Sequence, residues 1–355
     1  MFTHNLFMHI ACIGCIIGTI VTSASKGTHP SLYVFGDSLS DTGRLHTITL
    51  GLVPPEPYWL GRFSSGPLWI EYLALLQEVQ LENYAVGASE TSNSNPDLFG
   101  LFPMAIPSTH DQIEGFVKDH RVAGDTDTAV LEIGGNNVIT GLSEITANET
   151  GTFASELATT VVGQVGMLRD AGFRSVYVTN LPALHSIPLV KLQDRVDAAT
   201  QVFDTYNAEL ATQLKSFFGS DPDFSCTLID IGAFMQLAMT ENVASALGVK
   251  DTESSCVGGD VLQDLFGEKK HKETVLLRLA FDLKDTLLCD TPEDYFFWDP
   301  IHPNDRVHRL FGYYVNEFIE RQRKEAQPFA PSEPNLLALI SSYNLGSDTA
   351  KPAKV

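Results

Sequence analysis

The sequence predicts an α/β fold: a doubly wound parallel sheet flanked by helices, a three-layer sandwich in a single domain. Two observations carry that expectation. Short β-rich runs alternate with longer helical runs along most of the 355 residues, which implies parallel β-α-β units. The small-residue turns that hold Ser38, Gly87 and Asn136 each stand just past the end of a strand-like run, where a doubly wound sheet places its ligand. No internal repeat is visible.

The elements follow in chain order. Residues 1–24 contain no Asp, Glu, Lys or Arg and run through Ile10-Ala11-Cys12-Ile13 to Thr22-Ser23-Ala24, the pattern of a secretory signal peptide without its usual basic start. The domain proper then spans 25–325. Its expected strands are Ser31–Phe35, Asn83–Val86, Ala129–Ile133, Ser175–Thr179 and Thr227–Ile231. Its expected helices include Pro67–Glu78, Thr152–Ala171, Lys191–Phe218 and Asn304–Lys324. In the last of these, begun by Pro303, the stripe Val307, Leu310, Phe311, Tyr314 and Phe318 is expected to be buried and His308 to lie on the surface. Residues 242–289 mix the charges of Glu268, Lys269, Lys270, His271 and Lys272 with glycines, and read equally as a cap over a substrate groove or a plain surface insertion. Residues 326–355, rich in Pro and Ser, read as a flexible or loosely docked tail.

The net charge of −21 and a pI near 4.7 argue against nucleic acid, whose phosphates call for a basic face. No stretch after the signal approaches the ~20 apolar residues of a membrane span, so the expectation is a soluble, secreted chain. Removal of the signal takes Cys12 and Cys15 and leaves Cys226, Cys256 and Cys289. Cys256 with Cys289 is the expected disulfide, closing a loop just upstream of Asp299, and Cys226 in an apolar strand-like run is the expected free thiol. Asn148-Glu149-Thr150 is a glycosylation sequon.

Two segments carry the chemistry. Val34 to Gly43 reads Val-Phe-Gly-Asp-Ser-Leu-Ser-Asp-Thr-Gly, and Trp298 to Pro303 reads Trp-Asp-Pro-Ile-His-Pro. A serine hydroxyl needs an imidazole to take its proton and a third group to orient that imidazole; Ser38, His302 and Asp299 supply all three. Acyl transfer also needs donors aimed at the developing oxyanion. The turns at Asn83–Ala88 and Leu131–Asn137 offer a backbone N–H at Gly87 and the side-chain amide of Asn136, both able to converge on Ser38. This chemistry calls for no cofactor and no metal, and the Asp299, His302, Asp305, His308 spacing is read as loop and helix rather than as a metal cluster. Asp37 reads as a turn-fixing carboxylate, Arg62 as half of an ion pair, and Phe297 and Trp298 as pocket lining or packing.

With those residues in hand, the chain resembles the GDSL lipases and esterases, the SGNH hydrolases. Gly36-Asp37-Ser38-Leu39 matches the family's first block, Gly134-Gly135-Asn136-Asn137 its asparagine block, and Asp299-x-x-His302 its last; Gly61 to Pro67 also looks like a family segment. The resemblance runs from about Leu32 to Phe318 and implies a flavodoxin-like sandwich. It also implies a carboxylic ester hydrolase with Ser38 as nucleophile, His302 as base, Asp299 as orienting acid and Asn136 as oxyanion donor. The resemblance also implies the N–H of Ser38 itself as an oxyanion donor; many relatives carry a Gly-Gly pair where this chain has Gly87-Ala88 and use its second glycine, which makes Ala88 the runner-up to Gly87, and they carry Asp where it has Asn137. A lipid or small acyl ester is the expected substrate; a carbohydrate O-acetylesterase, an acyltransferase and a catalytically silent binding protein are the alternatives.

Overall fold

The computed structural model describes residues 30–92, 105–119, 121–258, 288–325 and 329–347. Five parallel strands, β1 (Ser31–Gly36), β2 (Gln80–Asn83), β3 (Thr128–Glu132), β4 (Ser175–Thr179) and β5 (Ser225–Ile229), form one sheet in the order β2-β1-β3-β4-β5. That order is the flavodoxin-like winding, with its switch point between β1 and β3. Val34, Phe35, Val130, Leu131, Val176 and Val178 are fully buried, as strands covered on both faces require.

The helices are α1 (Arg44–Ile48), α2 (Trp69–Leu76), α3 (Thr109–Lys118), α4 (Gly135–Gly141), α5 (Thr150–Asp170), α6 (Pro188–Leu192), α7 (Val196–Phe218), α8 (Ile231–Ala238), α9 (Glu241–Leu247), α10 (Asp305–Glu325) and α11 (Glu333–Tyr343). One layer gathers α3, α5 and α7; the other gathers α2, α8, α9, α10 and α11. Gly312 sets the close approach of α10 to α2, since a Cβ there would stand 2.7 Å from the Trp69 carbonyl oxygen and from Tyr72 Cβ. A separate parallel pair, β6 (Asp251–Ser255) and β7 (Tyr295–Phe297), leads directly into Trp298 and Asp299.

Several expectations shift. The second strand is Gln80–Asn83 rather than Asn83–Val86: Ala85 and Val86 are buried, but by the loop that leaves the sheet beside Gly36. The fifth strand starts two residues earlier than expected and stops at Ile229, because Asp230 caps α8 by accepting the Ala233 N–H. The expected Lys191–Phe218 helix divides into α6 and α7 at Asp194, whose φ is +53°. Residues 326–355 are not simply a tail. Ser332 caps α11, Leu336, Leu339, Ile340 and Leu345 are buried, and Arg309 Nη2 donates to the Leu345 carbonyl, so 332–347 form part of the core. The start of the 242–289 region is likewise core, with Val243, Ala244 and Leu247 of α9 buried; 259–287 lies outside the described residues, as do residues 1–24.

Candidate active site

The site is assembled by the loops that follow β1, β2 and β3 and by the Asp299–His302 loop that follows β7. After Gly36 the chain turns through Asp37 and Ser38, with the Ser40 N–H donating to the Asp37 carbonyl at 3.1 Å. Ser38 Oγ lies 2.7 Å from His302 Nε2, and His302 Nδ1 lies 2.7 Å from Asp299 Oδ2. An N–H on Nδ1 leaves Nε2 as the acceptor for the serine proton, the tautomer a general base needs. Asp299 Oδ1 accepts the N–H groups of Ile301 and His302, each at 2.8 Å, while Oδ2 also accepts the Tyr58 hydroxyl at 2.7 Å. Burial pushes the Asp299 carboxyl up, but His302 and these hydrogen bonds outweigh it and hold the carboxyl below its ordinary value. Ser38, Asp299 and His302 are all buried, and the His302 ring packs against Phe63 with centroids 5.0 Å apart.

The Asp299 loop is braced from behind. Cys256 N–H donates to the Phe297 carbonyl and Val257 N–H to that of Trp298, and Cys256 is joined to Cys289. Cys226 is a free, half-buried thiol in β5, its ionisation pushed up to about 12 by burial. Asn148 is exposed. Arg62 pairs with the buried Glu71 at 2.7 Å.

The Gly87 assignment needs correction. Its N–H donates to Asp41 Oδ2 at 2.7 Å, and a Cβ there would collide with the Phe63 ring, so Gly87 serves packing and its donor is spent. Ala88, with φ +64°, carries an N–H that has no partner among the described residues. Asn136 Nδ2 donates one hydrogen to the Ser89 carbonyl at 2.9 Å, which fixes the amide and leaves its second N–H without a partner among the described residues; Asn136 and Ser38 line the same cleft. Asn137 instead ties down Thr91, accepting its N–H at 3.0 Å.

Four contributors escaped sequence reasoning. Tyr58 is one. Asp41 is another, its two oxygens accepting the N–H groups of Gly43, Arg44, Leu45 and Gly87. Glu132, at the end of β3, accepts Ser40 Oγ at 3.0 Å and hydrogen-bonds Asp37; burial and the neighbouring Asp37 raise it far above an ordinary carboxyl. Asp37 in turn is pushed up to about 6 by burial, and Leu39 N–H donates to it, as its turn-fixing reading expects. The fourth is His308, which is buried rather than on the surface: α10 is covered on more than one side, and Trp69 N–H points at His308 Nδ1 from 3.4 Å. Burial depresses His308 to about 3, which keeps it neutral.

The cleft beside Ser38 is apolar, lined by Ile139, Leu184, Ile231, Phe234, Met235 and Phe311. Phe296 lines it too, whereas Phe297 is fully buried and Trp298 packs on Cys256, Val257 and Tyr58.

Residues 32–315 match the model of the GDSL-like Lipase/Acylhydrolase family. The chain belongs to that family. Among curated GDSL relatives it is 25% identical to a phosphatidylcholine-sterol acyltransferase of Aeromonas hydrophila, over 88% of this chain and 97% of that one. It is 24% identical to a thermolabile hemolysin of Vibrio parahaemolyticus, covering 82% of this chain and 63% of that one. It is 25% identical to the secreted effector protein SseJ of Salmonella typhimurium, covering 83% and 65%. Family membership supports an esterase, lipase or acyltransferase activity. Among the described residues no helix is long and apolar enough to cross a membrane.

Proposed function

We propose that the protein is a secreted carboxylic ester hydrolase acting through an acyl-enzyme on Ser38. His302 takes the serine proton as Oγ attacks the ester carbonyl and returns it to the leaving alcohol, while Asp299 holds the imidazole tautomer. The oxyanion is met by the N–H groups of Ser38 and Ala88 and by the free N–H of Asn136. Water activated by His302 then releases the acid. The unbroken chain from Ser38 Oγ to His302 to Asp299, with both links at 2.7 Å, is the observation that carries the reading. The apolar cleft favours an apolar acyl group. Export is supported by the charge-free start and by the Cys256–Cys289 bridge.

Ser38→Ala is expected to lower kcat on a soluble p-nitrophenyl ester by roughly 10³ or more with an unchanged circular dichroism spectrum. Turnover near that of the parent in a folded variant overturns the assignment. Asn136→Ala is expected to lower kcat by about 10²–10³ and leave KM nearly unchanged, because the bond forms fully only in the transition state. The likeness to the Aeromonas acyltransferase raises a second fate for the same acyl-enzyme, transfer to an alcohol. Product analysis in the presence of an added alcohol separates the two.

A further inference from the structure

Beside the cleft, the segment from Leu45 to Gly61 turns apolar side chains to the solvent. Leu50, Leu52 and Leu60 are 90%, 41% and 68% exposed; the other exposed large apolar residues are scattered over other elements. The backbone gathers them: Leu50 and Leu52 flank Gly51, Leu60 precedes Gly61, and both glycines lie against His46. A Cβ on Gly51 would lie 3.7 Å from His46 Nε2, a Cβ on Gly61 would lie 2.7 Å from His46 Cβ, and His46 Nδ1 is 3.1 Å from the Pro54 carbonyl oxygen.

Two of these leucines stand where folding alone gives them no reason to be. Leu50 has φ +55° and Leu60 φ +45°, the left-handed region in which a Cβ crowds its own backbone, and neither side chain packs on the core. The segment is also nearly free of charge in a chain of net charge −21: between Leu45 and Gly61 the only Asp, Glu, Lys or Arg is Glu56. Trp59 is half-buried, with the Arg62 guanidinium 5.0 Å over its ring. The patch is continuous with the catalytic machinery, since Tyr58 in the same segment bonds Asp299 and packs on Phe63, which touches His302.

We propose that this face docks on a lipid surface of zwitterionic headgroups, with Leu50, Leu52 and Leu60 entering the acyl boundary and the cleft brought against the ester bonds there. Exposed leucines and an amphipathic tryptophan are what such a boundary accepts. The near absence of charge on the segment suits a neutral surface, while the acidic remainder of the chain is repelled by an anionic one. The substrate side of this inference rests on the ester-hydrolase reading; the docking itself does not.

The test is flotation of the full chain carrying Ser38→Ala with phosphatidylcholine vesicles, so that binding is read without turnover. The protein is expected to float with the vesicles. Leu50→Ser with Leu60→Ser in the same background is expected to weaken partitioning at least tenfold, and Leu75→Ser, exposed on α2, to leave it unchanged. With Ser38 restored, the double serine variant is expected to hydrolyse a water-soluble acetate ester within twofold of the parent and vesicle lipid at least fivefold more slowly. The inference is overturned by a parent that does not float, by a double variant that floats as well as the parent, or by binding that strengthens with phosphatidylglycerol. It is overturned equally if sedimentation shows a dimer that the two serines dissolve, for the leucines then cover a second copy. A Ser38→Ala protein that still turns over ester while the leucine variant loses the vesicles would sink the Ser38 acyl-enzyme and leave the docking face standing.

Discussion

Tyr58 shows how one hydroxyl can act on a base it does not touch. Its O–H shares Asp299 Oδ2 with His302 Nδ1, and burial beside that carboxylate raises the phenol so far that it stays a donor at every working pH. Each donor on a carboxylate oxygen draws charge away from the other. Tyr58→Phe is therefore expected to remove one of the bonds that hold the Asp299 carboxyl below its ordinary value, and to lower kcat about three- to tenfold with KM little changed. Steady-state kinetics on a soluble ester check it; an unchanged kcat would leave Tyr58 a packing residue. Nothing in the sequence pointed to this contact, because the partners are 241 residues apart and tyrosine has no motif of its own. Ser38, Asp299, His302 and Asn136 were legible because each sits in a short contiguous block whose residue types are dictated by the chemistry.

At the scale of elements, periodic runs were readable and docked or crowded ones were not. The helix α5 is found at Thr150–Asp170 against an expected Thr152–Ala171. Helix α11 hid behind its Pro-rich lead, since only Leu336 to Ile340 is apolar and its burial comes from α8, α9 and α10 rather than from local pattern. His308 was misplaced for the same reason: a helix wrapped by neighbours has no free polar face, and the one-sided stripe expected of α10 describes only part of its contacts. Leu336→Ala is expected to lower the unfolding free energy by about 2–4 kcal/mol, the range for a fully buried leucine, as measured by urea titration. A change below 0.5 kcal/mol would mean that α11 is loosely held after all.

For the molecule as a whole, the buried acids set a pH dependence that the composition alone does not. Glu132 has a folded-state pKa raised above its unfolded value, so its contribution to stability is fully present below about pH 4 and is lost as pH rises toward the folded value; Asp37, at about 6, acts in the same direction between roughly pH 4 and 6. His308 works the other way, since a folded value near 3 means its contribution is lost as pH falls below its unfolded value of about 6.5. Glu132→Gln keeps a donor for Asp37 and an acceptor for Ser40 without an ionisable proton. It is expected to match the parent in denaturant unfolding near pH 4 and to exceed it increasingly at higher pH, by up to about 1.4 kcal/mol per unit while Glu132 stays protonated in the fold. Equal stability at pH 8 would show that Glu132 ionises normally.

Under the proposed mechanism, the winding of the sheet also sets when the active site is complete. Ser38 follows the first strand and His302 comes after the last, 264 residues later, with every crossover between them. During synthesis the serine emerges from the ribosome early and stays an ordinary hydroxyl until the loop at Asp299 and His302 is made and α10 settles against α2. If the proposed mechanism holds, a nascent chain carries no hydrolytic power, and a chain that stops before His302 never acquires it.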